Sequence, residues 1–287
     1  MINLQILPTP IDKLGDRIIH CRFAHMFSVY NNVKVNLVFK SKEIQSIIDL
    51  FSYGDVTYNE GKSIKDCETI HINNDFSRTD FVDSFIRLID EVPHIILDKK
   101  LKPLTKLPEK KYITTQWDAG GAYRLLSEDR IKKIESWYKE QGYDIINLTG
   151  DFIKTLPINE IATIIQGAEL HVGVDSGMMH MATLVLPTEK IHMYVELKYR
   201  ADIKTPNHEN LSHLAIEAIR AGVKLNPIDN PPLKEAYSNM NAWYNFCSKR
   251  GYLSSTPNVF PYNTGKWKLG PEPKNFKHEG IPDISLY

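Results

Sequence analysis

The sequence predicts an α/β protein with two parallel-sheet halves, because short apolar segments alternate with amphipathic helical segments along most of the chain. The length of 287 residues suits two domains of ordinary size. A hydrophobic content of 42% and a charged content of 24% are typical of a packed globular protein.

The first half begins with a predicted strand at Ile2–Leu7, the loop PTPIDKLGD and a helix that reaches about Tyr30. The apolar side of that helix is predicted to comprise Ile18, Ile19, Phe23, Met26 and Phe27. The elements predicted after it are a strand at Val33–Phe39, a helix at Ile44–Phe51, a strand at Thr69–Ile72 and a helix at Phe81–Ile89.

Prolines and lysines are concentrated at 99–111, where the sequence reads KKLKPLTKLPEKK. This composition is typical of a solvated linker. We therefore predict a first domain at 1–105, a second at 106–225, and a C-terminal helix and extended tail at 226–287.

The second half restarts with a predicted strand at Tyr112–Gln116 and a helix at Ser127–Gln141. Ser127 is predicted to be the N-cap of this helix, with Glu128 and Asp129 in the first turn. The remaining predicted elements are strands at Ile145–Leu148, Leu170–Val174 and Ile191–Val195 and a helix at Ile158–Gln166.

The segment 169–182, ELHVGVDSGMMHMA, is the most informative for function. A buried strand runs through Asp175-Ser176-Gly177 into a helix, so free backbone N–H groups at the helix start would attract phosphate. Gly177 lets a ligand approach the backbone closely. The alternative is an ordinary strand–turn–helix in which Asp175 caps the helix.

Ligands of open parallel sheets bind beyond the carboxyl ends of the strands, so the loops that follow the strands are the ones to search. The loop at 116–126 contains Arg124, which can clamp a phosphate or be an ordinary surface arginine. The loop at 149–155 begins with Thr149-Gly150, which can line a nucleotide pocket or simply turn the chain. In the first half, Asp16 can act as a general base toward an acceptor hydroxyl, or as a helix cap.

Several classes of function are disfavoured by the composition. The formal net charge is zero, which gives no overall support to nucleic-acid binding. Three widely spaced cysteines indicate a reducing compartment and no zinc site. We expect no signal peptide and no membrane-spanning segment. Since no glycine-rich dinucleotide or P-loop pattern is present, a dehydrogenase or P-loop enzyme is disfavoured.

The order of four motifs resembles family 9 glycosyltransferases, the lipopolysaccharide heptosyltransferase-like enzymes of the GT-B type. The motifs are Leu14-Gly15-Asp16, Arg124 before a helix, LTG at 148–150 and GVDSGMMHMA at 173–182. The resemblance implies two Rossmann-like domains with parallel sheets facing across a cleft. It implies an inverting transfer without a metal or cofactor, with a nucleoside diphosphate sugar held mainly by the second domain.

The resemblance also implies roles for individual residues. Asp16 would be the catalytic base, with Gly15 and Arg17 on the acceptor side. The donor-binding set would be Gln116, Arg124, Thr149, Gly150, Asp175, Ser176, Gly177, Met178 and His180. Among these, Arg124 stands where the family often has a lysine that contacts the donor phosphates, and Asp175 would touch the donor sugar.

Three hypotheses on function remain open. The acceptor can be a cell-surface glycan, or a hydroxymethylated base in phage DNA, since the Ile-, Lys- and Asn-rich composition suggests an AT-rich genome. The third hypothesis is a nucleotide-binding protein without transfer activity, or an epimerase. The tail is predicted to pack back on the first domain; the alternative is an arm that binds an acceptor such as DNA. The expected location is the cytoplasm of a bacterium or of a phage-infected host.

Overall fold

The computed structural model describes residues 1–7, 13–38, 41, 43–73, 97, 100–102, 107–119, 125–194, 224–225, 263–264 and 267–268. The chain divides into two compact units, which are described separately below. The first unit comprises Met1–Ile95 with Tyr244–Glu279, and the second comprises Ile96–Trp243 with Gly280–Tyr287. The domain boundaries predicted at 105 and 225 stay a prediction.

The first unit contains a parallel sheet of four strands in the order β3-β2-β1-β4. Its strands are β1 (Ile2–Leu7), β2 (Val35–Val38), β3 (Val56–Tyr58) and β4 (Thr69–Asn73), and its described helices are α1 (Leu14–Asn31) and α2 (Ile44–Ile48). Two neighbouring parallel strands must be joined by a crossover segment, which is commonly a helix. This requirement explains the strand–helix alternation seen in the sequence.

Helix α1 is the central helix of this unit. The whole predicted apolar side is at most 3% exposed, so the predicted helix and its buried face are confirmed. The helix ends at Asn32, whose left-handed φ of 49° allows its N–H to donate to the carbonyls of Ser28 and Val29. Polar side chains of α1 are buried as well, namely His20, Arg22 and His25.

The structure differs from the prediction for the first half at three elements, namely β3, β2 and α2. Strand β3 was not predicted, because Val56–Tyr58 is only three residues long and half-buried throughout. Strand β2 and helix α2 are shorter than the predicted Val33–Phe39 and Ile44–Phe51. The predicted helix at Phe81–Ile89 lies outside the described residues.

The second unit contains a parallel sheet of five strands in the order β6-β5-β7-β8-β9. Its strands are β5 (Tyr112–Gln116), β6 (Asp144–Asn147), β7 (Leu170–Gly173), β8 (Ile191–Met193) and β9 (Lys224–Leu225). Its helices are α3 (Glu128–Glu140), α4 (Asp151–Lys154), α5 (Ile158–Gln166) and α6 (Gly177–Val185), followed by a 3-10 helix at Thr188–Lys190. The elements predicted from Tyr112 to Met193 are therefore confirmed to within one or two residues at their described ends.

One detail of α3 differs from the prediction. Ser127 does occupy the N-cap position, but its side chain makes no capping hydrogen bond. The acidic residues Glu128 and Asp129 lie in the first turn as predicted. The dipole of α3 is therefore compensated by these carboxylates rather than by the serine hydroxyl.

Aromatic side chains dominate the core between the second sheet and α3. Trp117 packs edge-on against Tyr194 with ring centroids 6.1 Å apart, and its indole N–H donates to Glu135 Oε1 over 2.8 Å. The Tyr138 hydroxyl lies 2.7 Å from His192 Nδ1. The indole N–H of Trp117 and the hydroxyl of Tyr138 thus each have a polar partner within the core, which extends to the carboxyl end of β5.

The carboxyl ends of β5 and β7 form the switch point of the second sheet. The chain leaves β5 toward β6 on one side and returns from β6 to β7 on the other side. Gln116 and Gly173 are register partners there, and a Cβ at Gly173 would lie 2.5 Å from the Gln116 carbonyl oxygen. In parallel sheets the crevice at such a point is where ligands bind.

The described part of the tail is a short hairpin of β10 (Asn263–Thr264) and β11 (Trp267–Lys268). Strand β11 lies beside α1 within the first unit. The predicted C-terminal helix lies outside the described residues, and the role of the tail stays a prediction. Among the helices that the structure describes, none has the length and apolar character needed to cross a bilayer.

Candidate functional site

The start of α6 is exceptional among the four longest described helices. The first turns of α1, α3 and α5 contain the acids Asp16, Glu128 with Asp129, and Glu160, whereas the first turn of α6 contains no acid. The N-cap of α6 is Ser176, in extended backbone, and its side chain makes no capping hydrogen bond. The first N–H groups of α6 therefore face the switch point with their dipole uncompensated by their own turn.

Two polar atoms at this edge are buried without a hydrogen-bond partner among the described residues, Ser176 Oγ and Gln116 Oε1. The two residues are only 7% and 6% exposed. The amide nitrogen of Gln116 is used within the protein, since it donates to the Asp118 carbonyl over 2.5 Å. Buried polar atoms without a described partner also occur elsewhere in the protein, but these two lie at a switch point beside a helix start. That combination indicates a site for a polar ligand.

Asp175 and His180 form a buried pair just behind the start of α6. The distance from His180 Nε2 to Asp175 Oδ1 is 3.9 Å, and the residues are 1% and 3% exposed. The N-cap position belongs to Ser176, so the alternative in which Asp175 caps the helix is wrong. Its carboxylate faces His180 instead.

The loops after β5 and β6 are tied to each other by hydrogen bonds. The Trp117 N–H donates to Thr149 Oγ1 over 2.9 Å, and the Gly150 N–H donates to Asp118 Oδ2 over 3.0 Å. Gly150 has a φ of 88°, a backbone conformation that favours glycine. Thr149 and Gly150 thus shape the rim of the site. Their contact with a donor stays a prediction.

The structure describes only some of the other residues that were predicted to bind the donor. Gly177 begins α6 and Met178 follows it, so both contribute backbone N–H groups to the first turn. Arg124 lies outside the described residues. Asp118 was missed as part of the site's framework, although it stands in the same turn, WDAGG, that drew attention to Arg124.

In the first unit, Gly15, Asp16 and Arg17 form the first turn of α1. The N-cap of α1 is Lys13, so the alternative in which Asp16 is the helix cap is wrong. Arg17 Nη1 lies 3.3 Å from Glu43 Oε2, with the two side chains 14% and 46% exposed. An acid in a first turn also stabilises the helix dipole, and the catalytic role of Asp16 stays a prediction.

Buried histidines elsewhere are held neutral by their surroundings. Burial lowers the pKa of His171 on β7 to about 3, and its Nδ1 lies 3.0 Å from Thr114 Oγ1. Among the described residues, no group of three histidines, cysteines or carboxylates could hold a metal ion. The N–H groups at the start of α6 suit an anion, and the side-chain carbonyl oxygen of Gln116 suits a hydroxyl donor of the ligand.

Comparison with known proteins yields structures but no sequence relatives. No protein-family model matches the chain, and no curated protein matches it significantly. The chain is similar to the iron-containing dodecameric glycosyltransferase TibC from enterotoxigenic E. coli H10407, with a TM-score of 0.50 and 16% identity over 67% of this chain and 57% of TibC. TibC in complex with ADP-D-beta-D-heptose gives a TM-score of 0.50 at 15% identity over 68% and 57% of the two chains. A family 9 glycosyl transferase from Veillonella parvula DSM 2008 gives 0.43 at 11% over 67% and 80%.

The fold is thus like that of TibC, and the predicted α/β fold class with two parallel sheets is confirmed. This conclusion rests on the two TibC structures and on the two parallel α/β sheets. The chain spans 57% of the length of TibC. At this level of identity the likeness concerns the fold alone.

Proposed function

We propose that this protein is a glycosyltransferase that takes its sugar from a nucleoside diphosphate sugar bound at the start of α6. The observation that carries the proposal is the switch-point edge, where the uncompensated helix start lies beside buried Ser176 Oγ and Gln116 Oε1. The binding of ADP-heptose by TibC, which shares the fold, supports this donor class. The resemblance of GVDSGMMHMA to family 9 supports it independently.

The chemistry of the site fits a diphosphate leaving group. Backbone N–H groups of Gly177 and Met178 would stabilise the negative charge that develops as the glycosidic bond breaks. Arg124 would contribute a second, charged contact with the phosphates. With the charge neutralised in this way, the transfer requires no metal ion.

The proposed base is Asp16, which accepts the proton of the acceptor hydroxyl as the new bond forms. A single attack from the face opposite the leaving group inverts the anomeric carbon. Gly15 and Arg17 would line the acceptor side. The acceptor is a cell-surface glycan hydroxyl or the hydroxyl of a hydroxymethylated base in phage DNA.

Donor binding is tested by calorimetry with ADP-heptose and a panel of other nucleotide sugars. Ser176→Ala removes a hydroxyl that has no described partner in the free protein, so we expect an unchanged melting temperature and donor affinity lowered roughly 10- to 100-fold. Thr183→Val is the matched control, since Thr183 lies near the other end of α6 and donates to the His180 carbonyl. Equal donor affinity of Ser176→Ala and wild type would remove α6 from the site.

Transfer is tested by the mass increment of candidate acceptors, glycans and hydroxymethylated DNA included, incubated with the donor that binds. Activity should survive treatment with EDTA. Measuring the iron content in parallel tests whether this protein binds iron as TibC does. Donor binding without any mass increment would favour a non-transferring protein or an epimerase. The latter would interconvert the sugar of the donor itself.

A further inference from the structure

We propose that Gln116 makes the site selective for a ligand that presents a hydroxyl or amino hydrogen beside its diphosphate, and that it discriminates against a bare anion. This inference rests on the proposed function and names the chemical group that must accompany the phosphates. Its basis is Gln116 Oε1, a buried acceptor without a partner among the described residues, at the edge of the sheet where α6 begins.

The side chain of Gln116 lies on the face of the second sheet that α5 and α6 cover. Side chains alternate between the two faces along β5, so Tyr112 and Gln116 share one face. The Tyr112 hydroxyl donates to the Ile164 carbonyl of α5 over 2.9 Å, which identifies that face, and α6 packs beside α5. Gln116 is the last residue of β5 and is 6% exposed. Its amide oxygen is therefore enclosed at the end of the sheet from which α6 starts.

The orientation of the Gln116 amide is fixed by the turn that follows β5. Its Nε2 donates to the Asp118 carbonyl over 2.5 Å, and exchanging the two amide atoms would set one oxygen against another. The turn is itself held in place, because Asp118 Oδ2 accepts from the Gly150 N–H over 3.0 Å. Gln116 thus presents an oxygen to the rest of the site, and this oxygen can only accept a hydrogen bond.

The polar groups at this edge require two different kinds of partner. The N–H groups of Gly177 and Met178 are donors, and the Ser176 hydroxyl can donate as well, so all three can serve phosphate oxygens. An ionised phosphate diester offers no hydrogen to Gln116 Oε1. Leaving a buried carbonyl oxygen unpaired beside an anion costs free energy, whereas a hydroxyl or amino group on the ligand removes that cost.

A nucleotide sugar carries both kinds of group. Its diphosphate lies between a ribose and a sugar, and both of these carry hydroxyl groups close to the phosphates. We therefore expect Gln116 to separate two similar anions, the complete nucleotide sugar and its diphosphate portion alone. The hydrogen can come from the nucleoside or from the sugar, and a series of ligands distinguishes the two sources.

The test compares wild type and Gln116→Met with three ligands at pH 8. The ligands are the nucleotide sugar that wild type binds, the corresponding nucleoside diphosphate, and dimethyl diphosphate, which is methylated once at each end and has no hydrogen to donate. Affinity for dimethyl diphosphate is measured by displacement of the nucleotide sugar, so that weak binding is still quantified. Methionine keeps the length of the side chain and removes its polar amide.

We expect Gln116→Met to weaken nucleotide-sugar binding about tenfold and to bind dimethyl diphosphate at least as tightly as wild type. A loss that already appears with the nucleoside diphosphate assigns the hydrogen to the nucleoside, and a loss confined to the nucleotide sugar assigns it to the sugar. Equal losses for all three ligands, or unchanged affinity for the nucleotide sugar, overturn the inference.

A control variant separates selectivity from a general disturbance of the site. Asp118→Ala removes the carboxylate that accepts from Gly150 and leaves the Gln116 side chain intact, so it should change the three affinities by the same factor. If Gln116→Met does not fold, Gln116→Leu replaces it, and failure of both to fold overturns the inference. A wild-type protein that binds no nucleotide sugar overturns the proposed function, and the inference with it.

Discussion

The buried polar side chains of the two sheets differ in how many hydrogen bonds they make within the protein. In the first unit, Asn3 and Asn36 are fully buried register partners on β1 and β2 and form a hydrogen-bonded network, in which Asn36 Oδ1 is the one polar side-chain atom of the two without a partner among the described residues. At the carboxyl edge of the second sheet, Ser176 Oγ and Gln116 Oε1 are both buried without a described partner, beside a helix start. The comparison indicates that the asparagines build the fold, whereas the polar atoms beside the helix start are available to a ligand.

The asparagine network attaches a long loop to the first sheet. Asn36 Nδ2 donates to Asn3 Oδ1 and to the Lys62 carbonyl, each over 2.9 Å. Asn3 in turn donates to the Ile64 carbonyl over 2.9 Å and accepts from the Ile64 N–H over 2.8 Å. The backbone between β3 and β4 thus obtains its partners from strand side chains, because it has no strand neighbour of its own.

The largest effect is expected from Asp16→Asn. The variant keeps the size of the side chain but removes the base, so turnover should fall about 10²- to 10⁴-fold, with donor affinity and melting temperature little changed. Asp55→Asn, at a 63% exposed side chain of the same unit, is the control and should keep full turnover. Near-normal turnover of Asp16→Asn would leave Asp16 as a dipole-stabilising acid and move the base elsewhere.

The second prediction concerns the stability that the asparagine network gives to the first unit. Asn3→Ala would leave the Ile64 backbone groups and the Asn36 amide without their partner, so we expect a loss of about 3 kcal/mol in the free energy of unfolding. Asn59→Ala, at an exposed position in the same loop, should cost far less. Chemical denaturation of the two variants measures the difference. If their costs were equal, the network would not be what holds the loop.

The features that could be predicted from sequence are those that local patterns determine. The strand at Tyr112–Gln116 and the helix at Ile158–Gln166 were predicted to the residue, because strong apolar patterns and flanking turns delimit them. Strand β3 was missed, since its three half-buried residues are held by pairing with β2, a non-local interaction.

The candidate site was predicted only in part, for a similar reason. The DSG turn is a local signal and identified the start of α6. The hydrogen bonds of Asp118 to Gly150 and of Trp117 to Thr149 join loops that are 32 residues apart, and no local pattern announces them. The distance between His180 and Asp175 depends on the backbone conformation where the chain enters α6. The number of residues between them does not specify that distance.

A third prediction concerns stability at acidic pH. Two buried histidines of α1 should destabilise the first unit as the pH falls. Burial lowers the pKa of His25 to about 4, opposed by its hydrogen bond to the Tyr53 carbonyl, and lowers that of His20 to about 3. The unfolded chain takes up these protons near pH 6.5 and the folded chain does not. The stabilisation is therefore complete above pH 6.5 and is lost as the pH falls from 6.5 toward 4 and below.

The variant His25→Gln removes one of these two titrating side chains, so it measures the contribution of His25 to the pH dependence. Unfolding measured at pH 7.5 and pH 5 should show a pH-dependent loss about 2 kcal/mol smaller than in wild type. An unchanged slope in His25→Gln would mean that the pKa of His25 is the same in the folded and the unfolded chain.

The smallest effect is expected at the ion pair of Arg17 and Glu43. Glu43 has a left-handed φ of 58°, and Glu43→Gln keeps that backbone cost while removing the charge, so the variant measures the ion pair alone. A pair in which one side chain is 46% exposed should contribute at most about 1 kcal/mol to stability, and this contribution should disappear in 1 M salt. Denaturation at low and high salt measures both quantities. A salt-independent loss well above that value would show that the pair fastens α2 to the start of α1. Arg17 would then be a structural residue, no longer one kept available for the acceptor.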